Sequence, residues 1–155
     1  MWVHNAECCD LGIGEINPRT GHKVLASHKI EAGSNSDYII EATKPSAKGK
    51  LVNTKTQYYE NPGHHDPKGG GNVGYNSTKS VLPENHIELW NKSVIVKSDP
   101  KNRWAVETKN SKTIYHRFQD DGNGNFHWNG STDGKTARGE ARAIKIDDVP
   151  KELKR

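Results

Sequence analysis

The sequence predicts an α+β domain in which one helix packs on a small antiparallel β-sheet. Only 31% of the 155 residues are hydrophobic, and 15 glycines and seven prolines interrupt the chain, which favours short strands joined by turns. The order of the patterned segments also supports this class, because one helical segment at 80–94 precedes alternating segments from residue 102 onwards. A chain of this length with a mean hydropathy of −0.96 is expected to form one domain with a small core.

The first part of the chain, residues 1–60, is predicted to be a leader that grades into a first structured segment. A reversal is expected at 17–21, a strand at 36–43 and a basic linker at 44–50. We place the boundary near residue 60, so that residues 61–155 form the second, functional domain.

The cysteine and hydrophobic content indicate the kind of environment in which the protein works. Cys8 and Cys9 are adjacent and are the only cysteines, so they cannot cross-link distant parts of the fold or complete a four-ligand zinc site. This usage is typical of a reducing compartment. No run of eighteen apolar residues exists, so no membrane span is expected, and the first residues lack the pattern of an export signal.

The net charge of +4 is unevenly distributed along the chain. Residues 1–60 carry seven basic and seven acidic side chains, so the whole excess lies in residues 61–155. A basic functional domain favours a polyanionic partner, above all nucleic acid.

A glycine-rich loop is predicted between residues 58 and 75. Glycines at 69–71 and 74 prevent regular structure, so the backbone can approach a ligand closely. His64, His65 and Asp66 offer two imidazoles and a carboxylate, and either histidine suits general acid or base catalysis. Their spacing matches no zinc pattern, so no metal ion or other cofactor is predicted.

The clearest helix is expected within residues 80–94. Pro83 suits its first turn, and the apolar residues keep mostly to one side. Strands are predicted at 102–109 and 112–118, with a turn at Asn110 and Ser111, and a final strand at 143–146 follows a basic connection. Glu107 lies on the first of these strands, where alternating Glu and Lys usually mark a solvated face.

A second hairpin is predicted over residues 115–128, and its return arm completes a meander of three strands. Residues 115–118 and 126–128 are aromatic-rich arms, and Asp-Gly-Asn-Gly at 121–124 supplies the residues that a tight reversal needs. His116, Arg117 and His127 lie close to this turn, a concentration of proton-transfer and anion-binding groups that packing does not require.

These segments resemble the C-terminal toxin module of bacterial polymorphic toxins of the Rhs/YD-repeat and wall-associated type. Val-His-Asn at 3–5 resembles the junction at which the delivery protein ends and the toxin begins. The toxin module itself resembles residues 60–155 through four motifs: Asn-Pro-Gly-His-His-Asp-Pro at 61–67, residues 79–90, Tyr-His-Arg-Phe at 115–118 and Phe-His-Trp-Asn-Gly-Ser at 126–131.

The resemblance implies a barnase/EndoU/colicin/RelE-like fold and a metal-independent RNase, with tRNA as the expected substrate. It also implies a secreted or cell-surface toxin that acts in the target-cell cytoplasm, and a cognate immunity protein as partner. His65 and His116 are predicted as the acid/base pair, with His127 in reserve and Arg117 on the phosphate. The residues predicted to bind substrate are His64, Tyr75, Lys79, Trp128, Ser131 and Thr132.

Two other classes of function fit the sequence. A metal-dependent DNase would use His64, His65, Asp66 and Glu107 around a divalent ion. A carbohydrate- or peptide-binding module would instead present a flat aromatic face built from Tyr115, Trp104 and Trp128.

Overall fold

The protein is built on one curled, six-stranded β-sheet. The computed structural model describes residues 10–31 and 54–154, so the predicted strand at 36–43, the linker at 44–50, the junction motif and both cysteines lie outside the described residues. The strands run in the order β1-β2-β6-β5-β4-β3 across the sheet. Their bounds are β1 Ala26–Glu31, β2 Thr54–Tyr59, β3 Val94–Val96, β4 Asp99–Lys109, β5 Lys112–Asp120 and β6 Asn125–Ser131.

The predicted meander is confirmed as strands β4, β5 and β6, which pair antiparallel in sequence order. Asn110 and Ser111 join β4 to β5 with φ angles of 51° and 66°, the left-handed values of a two-residue hairpin turn. The turn from β5 to β6 is held by Asp121, whose Oδ1 accepts the backbone N–H groups of Asn123 and Asn125.

The predicted fold class, a helix packed on a small antiparallel sheet, is wrong. The sheet is mixed, because β2 pairs parallel to β6, with Tyr58 opposite Asn125 and Tyr59 opposite Phe126. Strands β1 and β2 precede the predicted boundary near residue 60 yet belong to the same sheet as the other four. Over residues 10–31 and 54–154, the architecture is therefore a half-barrel of strands with one short α-helix.

The helix α1 spans only His86–Asn91, much less than the predicted segment. Its apolar pattern included Val94, which instead begins β3 after a break at Lys92 and Ser93. Leu89 and Trp90 of α1 are fully buried. The helix contacts both β1 and β4, which three strands separate in the sheet order, so the sheet curls around it.

Two clusters form the core, one on each face of the sheet. The larger one packs around Trp90 and consists of Ala26, Tyr59, Leu89, Trp90, Ala105, Phe118, Phe126 and Trp128. On the other face Trp104, Tyr115 and Val149 pack with Ile144 and Leu153 of the C-terminal segment. The predicted final strand at 143–146 is wrong, since that segment is extended but unpaired along most of its length and then forms a 3-10 helix, Ile146–Asp148.

Strand alternation separates the functional side chains between these two faces. Trp104 and Arg117 are paired across β4 and β5, as are Ala105 and His116, so Arg117 and His116 point to opposite sides of the sheet.

Within residues 10–31 and 54–154, no helix is long and apolar enough to cross a bilayer.

Candidate functional site

A cavity of about 440 Å³ lies where the C-terminal segment crosses β5 and β6. Among the described residues, four cationic side chains line it: Lys79, Arg117, Arg142 and Lys145. His65 and Ser80 of the glycine-rich loop, Asn129 of β6 and the carboxylate of Asp148 also contribute. We call it the basic cavity; its excess of positive charge favours an anionic ligand.

Arg117 is half-buried and held in a fixed orientation at this cavity. Its Nε donates to Oδ1 of Asn129 at 2.7 Å, and its guanidinium carbon lies 5.9 Å from the ring centroid of Trp104. Burial lowers the pKa of Arg117, against the opposing effect of Asp99 and Asp148. Its terminal nitrogens have no hydrogen-bond partner within the described part of the chain, so they can offer a planar fork to a phosphate.

His65 is the titratable side chain of the cavity that is best placed to act as a base. It is buried, and its Nδ1 lies 2.8 Å from the carbonyl oxygen of Ser80. A carbonyl only accepts, so Nδ1 carries the proton and the lone pair is on Nε2. Burial lowers the pKa of His65 to about 4, helped by the charges of His64 and Lys79 and opposed by the Ser80 carbonyl. The ring is therefore neutral at pH 7.

The loop that carries His65 folds back on itself, and its glycines make this approach feasible. A Cβ on Gly63, whose φ is 119°, would lie 1.9 Å from the carbonyl oxygen of Val73. Asp66 caps the turn, since its carboxylate accepts hydrogen bonds from Asn61 Nδ2 and from the backbone N–H groups of Lys68 and Gly70. Asp66 is thus occupied in holding the loop.

Tyr75 connects the same loop to the turn that follows β6. Its hydroxyl donates to the carbonyl oxygen of Lys79 at 2.9 Å and accepts the backbone N–H of Ala137 at 3.0 Å. The first contact holds the backbone of Lys79, whose side chain lines the basic cavity, so Tyr75 supports the site by fixing the loop.

Three histidines meet at the inner side of the loop. The ring centroids of His64 and His65 are 4.6 Å apart, those of His64 and His127 are 5.0 Å apart and those of His65 and His127 are 6.3 Å apart. Burial is the main reason why the pKa of His127 falls to about 4, and it also lowers the pKa of His64. His64 also lowers the pKa of His65, and His64 and His65 both lower the pKa of His127, because two protonated rings at this distance would repel each other.

His116 lies in a second cavity, of about 770 Å³, on the opposite face of the sheet. Its Nδ1 is 3.1 Å from Nε1 of Trp128, which can only donate, and its Nε2 is 2.9 Å from Oε1 of Glu107. His116 is therefore protonated on Nε2 and donates to Glu107. Burial lowers its pKa despite the adjacent carboxylate, so the ring is neutral at pH 7 and both nitrogens are occupied.

The structure brings together some of the predicted site residues and separates others. His65, Lys79 and Arg117 line the basic cavity, and His64 and His127 contact His65. The cavity of His116 instead contains Trp128 and Ser131. Ser131 donates its hydroxyl to Asp133, and the Thr132 hydroxyl accepts the backbone N–H of Tyr115. The predicted acid/base pair, His65 and His116, thus lies in two different cavities.

The three aromatic residues of the predicted flat face are buried. Trp104, Tyr115 and Trp128 are respectively 1%, 8% and 2% exposed. Trp104 and Tyr115 belong to one core cluster and Trp128 to the other, on the opposite side of the sheet. These three side chains cannot form the surface that the carbohydrate- or peptide-binding alternative requires, and Trp128 has no free face on which a base could stack.

Three residues of the two cavities were not predicted as parts of an RNase site. Arg142 and Lys145 were assigned to a basic connection and a strand, although both line the basic cavity. Glu107 was placed on a solvated face, whereas it accepts hydrogen bonds from both His116 and Asn85. The two-residue turn at 110–111 contains the missing signal, because it fixes the register that sets Glu107 diagonally across from His116 on the same face.

The chain as a whole matches no protein-family model, no curated protein and no solved structure.

Proposed function

We propose that this protein is an RNA-cleaving toxin domain that binds the scissile phosphate in the basic cavity. The observation that supports this proposal best is the meeting of a neutral, oriented imidazole, His65, with four cationic side chains around one cavity. Cations neutralise the phosphate, and a neutral imidazole can accept the proton of the 2′-hydroxyl.

The proposed reaction is an internal transfer that needs no metal ion. Nε2 of His65 removes the proton of the 2′-hydroxyl, the 2′-oxygen attacks phosphorus, and the bond from phosphorus to the 5′-oxygen breaks. Arg117 and Arg142 stabilise the additional negative charge on the phosphorane. The Lys79 ammonium, at the same cavity, gives its proton to the departing 5′-oxygen. The products are a 2′,3′-cyclic phosphate and a free 5′-hydroxyl.

The biological setting of the proposal comes from the resemblance of residues 60–155 to polymorphic toxin modules. We infer a domain that is delivered as part of a larger secreted or cell-surface toxin, acts on RNA, with tRNA as the expected substrate, in the target-cell cytoplasm, and is neutralised by a cognate immunity protein. Expression of the chain in a bacterial cytoplasm is expected to arrest growth and to deplete a defined RNA on total-RNA gels. Normal growth with soluble protein present would contradict this.

The decisive experiment uses purified protein, total RNA and a chelator. Cleavage that continues in the chelator and leaves 2′,3′-cyclic phosphate ends supports the proposal, whereas cleavage that stops, or a preference for DNA, supports the metal-dependent DNase alternative. His65→Asn retains an N–H that can reach the Ser80 carbonyl but lacks Nε2, so cleavage should fall about a hundredfold or more with little loss of stability. His28→Gln is the matched control. His28 lies on β1, outside the basic cavity, and its Nε2 hydrogen-bonds the carbonyl oxygen of Trp90.

Lys79→Arg separates the two roles of charge and proton donation. Arginine preserves the positive charge but does not release a proton near neutral pH, so cleavage should fall while RNA affinity changes little. Lys101→Arg, on an exposed part of β4, is the control. Equal cleavage by Lys79→Arg and wild type would remove Lys79 from the acid role.

A further inference from the structure

We propose that His64, His65 and His127 bind a divalent transition-metal ion, with zinc as the best fit. This goes beyond the proposed RNA cleavage, which uses no metal, and it does not depend on that activity. The sequence predicted no metal site because the spacing of His64, His65 and Asp66 matches no zinc pattern and a further ligand was needed from elsewhere. Strand β6 supplies a third imidazole from more than sixty positions away.

The distances between the three side chains are close to those of a metal site. One ligand nitrogen from each histidine lies within 4.8 Å of the other two. Zinc–nitrogen bonds of about 2.0–2.1 Å in a tetrahedral arrangement place the nitrogens roughly 3.4 Å apart. Small rotations of the side chains are enough to close the difference, since His64 and His127 are only half-buried.

The hydrogen bonds of the three rings leave the lone pairs available. His65 donates Nδ1–H to the Ser80 carbonyl, an outer contact that metal-bound histidines usually make and that directs Nε2 to the ion. Within residues 10–31 and 54–154, the ring nitrogens of His64 and His127 have no hydrogen-bond partner. Half-buried nitrogens without protein partners gain most from a metal ion, because coordination replaces hydrogen bonds that the fold does not supply.

The backbone holds the three histidines in place before any ion binds. His127 belongs to β6, opposite Gln119 of β5. The carbonyl of His65 accepts the N–H of Leu82 at 2.8 Å, and that of His64 accepts the N–H of Asn76 at 3.0 Å. The ligands are thus attached to rigid elements, which limits the entropy lost on binding.

The chemistry of the donor set selects the class of metal. Three imidazoles and no carboxylate suit zinc, copper, nickel or cobalt, whereas magnesium and calcium require oxygen ligands. Glu60 lines a small cavity together with the three histidines, is 5% exposed and has an Oε2 without a hydrogen-bond partner within the described chain. Its carboxylate offsets part of the repulsion between the ion and Lys79.

The test is direct metal binding, measured without RNA on untagged protein that carries Cys8→Ser and Cys9→Ser. These two changes remove the thiols, which would otherwise bind zinc themselves. Calorimetry with zinc is expected to give one ion per chain, and cobalt is expected to give the visible absorption of a tetrahedral complex. Absence of binding in this protein would overturn the proposal.

The variants His64→Ala and His127→Ala each remove one ligand and should weaken binding at least roughly tenfold. His28→Gln, in the same background, should bind as tightly as its parent. Thermal melting of each protein checks the fold; if His127→Ala is unfolded, His64→Ala decides, because the side chain of His64 makes no hydrogen bond within the described chain. Undiminished affinity in His64→Ala would overturn the assignment.

Discussion

The indole N–H of Trp128 donates to Nδ1 of His116 at 3.1 Å, and this contact determines which nitrogen of His116 carries the proton. The proton on Nε2 is in turn donated to Glu107. Trp128, His116 and Glu107 therefore form a chain of hydrogen bonds that links β6, β5 and β4 on one face of the sheet. In this arrangement His116 stabilises the sheet, and it has no free nitrogen with which to exchange a proton with substrate.

His116→Ala should therefore destabilise the protein. The substitution leaves the buried Trp128 N–H without its acceptor and removes a partner of Glu107, which should cost about 1–3 kcal/mol. Urea unfolding measures the change, and His28→Gln serves as the control. Cleavage should fall only in proportion to the unfolded fraction. A stable but inactive His116→Ala protein would instead restore His116 as an acid or base.

The stability of the protein should fall as the pH is lowered from about 6.5 towards 4. Burial lowers the pKa of His28, His65 and His127 to about 4 in the folded state, while the unfolded chain titrates near 6.5. In this window the unfolded state binds more protons, so acid favours unfolding, by up to about 1.4 kcal/mol per pH unit for each histidine. Glu60 opposes the trend, because burial raises its pKa.

Urea unfolding between pH 7 and 5 checks this slope above the range in which the other carboxylates titrate. His65→Asn should show a shallower dependence of stability on pH than wild type, because one of the three histidines that take up a proton on unfolding is then absent. Identical stability of the wild-type protein at pH 7 and pH 5 would contradict the burial of neutral histidines.

Arg117→Lys should reduce cleavage more than it reduces RNA binding. Lysine preserves the charge in the basic cavity but loses the planar fork and the Nε contact with Asn129. Single-turnover cleavage and filter binding on the same preparation separate the two effects. Arg138→Lys, at an exposed position after β6, should match the wild type in both measurements. Equal losses of binding and cleavage would mean that the guanidinium acts in RNA binding and adds nothing specific to the transition state.

Zinc should inhibit RNA cleavage, since an ion bound to Nε2 of His65 removes the proposed base. A chelator should restore the rate, and His64→Ala should need at least roughly tenfold more zinc for half inhibition. The outcomes separate the two proposals. Absence of cleavage under all conditions counts against the RNase, whereas cleavage that zinc leaves unchanged, in a protein that binds zinc, counts against His65 as the base.

Local signals explain what the sequence predicted correctly. The turn at 110–111 and the glycines at 122 and 124 predicted the two hairpins, because backbone conformations with positive φ are favoured by few residues. The same turn pairs Lys109 with Lys112, and this register implies the contact between Glu107 and His116. Pairing residues outward from the turn, one by one along β4 and β5, would have predicted the contact between Glu107 and His116.

Other features depend on contacts that no local pattern encodes. The parallel pairing of β2 with β6 joins residues far apart in sequence, so no short turn between these two strands sets their register. The approach of His64 and His65 to His127 follows from that pairing, because the loop begins directly after β2. The predicted helix was too long because its apolar period continued into residues that form β3.

The parallel pairing of β2 with β6 also determines when the site is assembled. The hairpins β4–β5 and β5–β6 close over short distances and can form early, whereas β2 must find β6 across a long intervening segment, at a high cost in loop entropy. We expect β2 to dock late in folding. Because the loop with His64 and His65 follows β2, a chain that has folded only its meander has Arg117 of β5 in place but not His65, so the basic cavity is completed only at the last step.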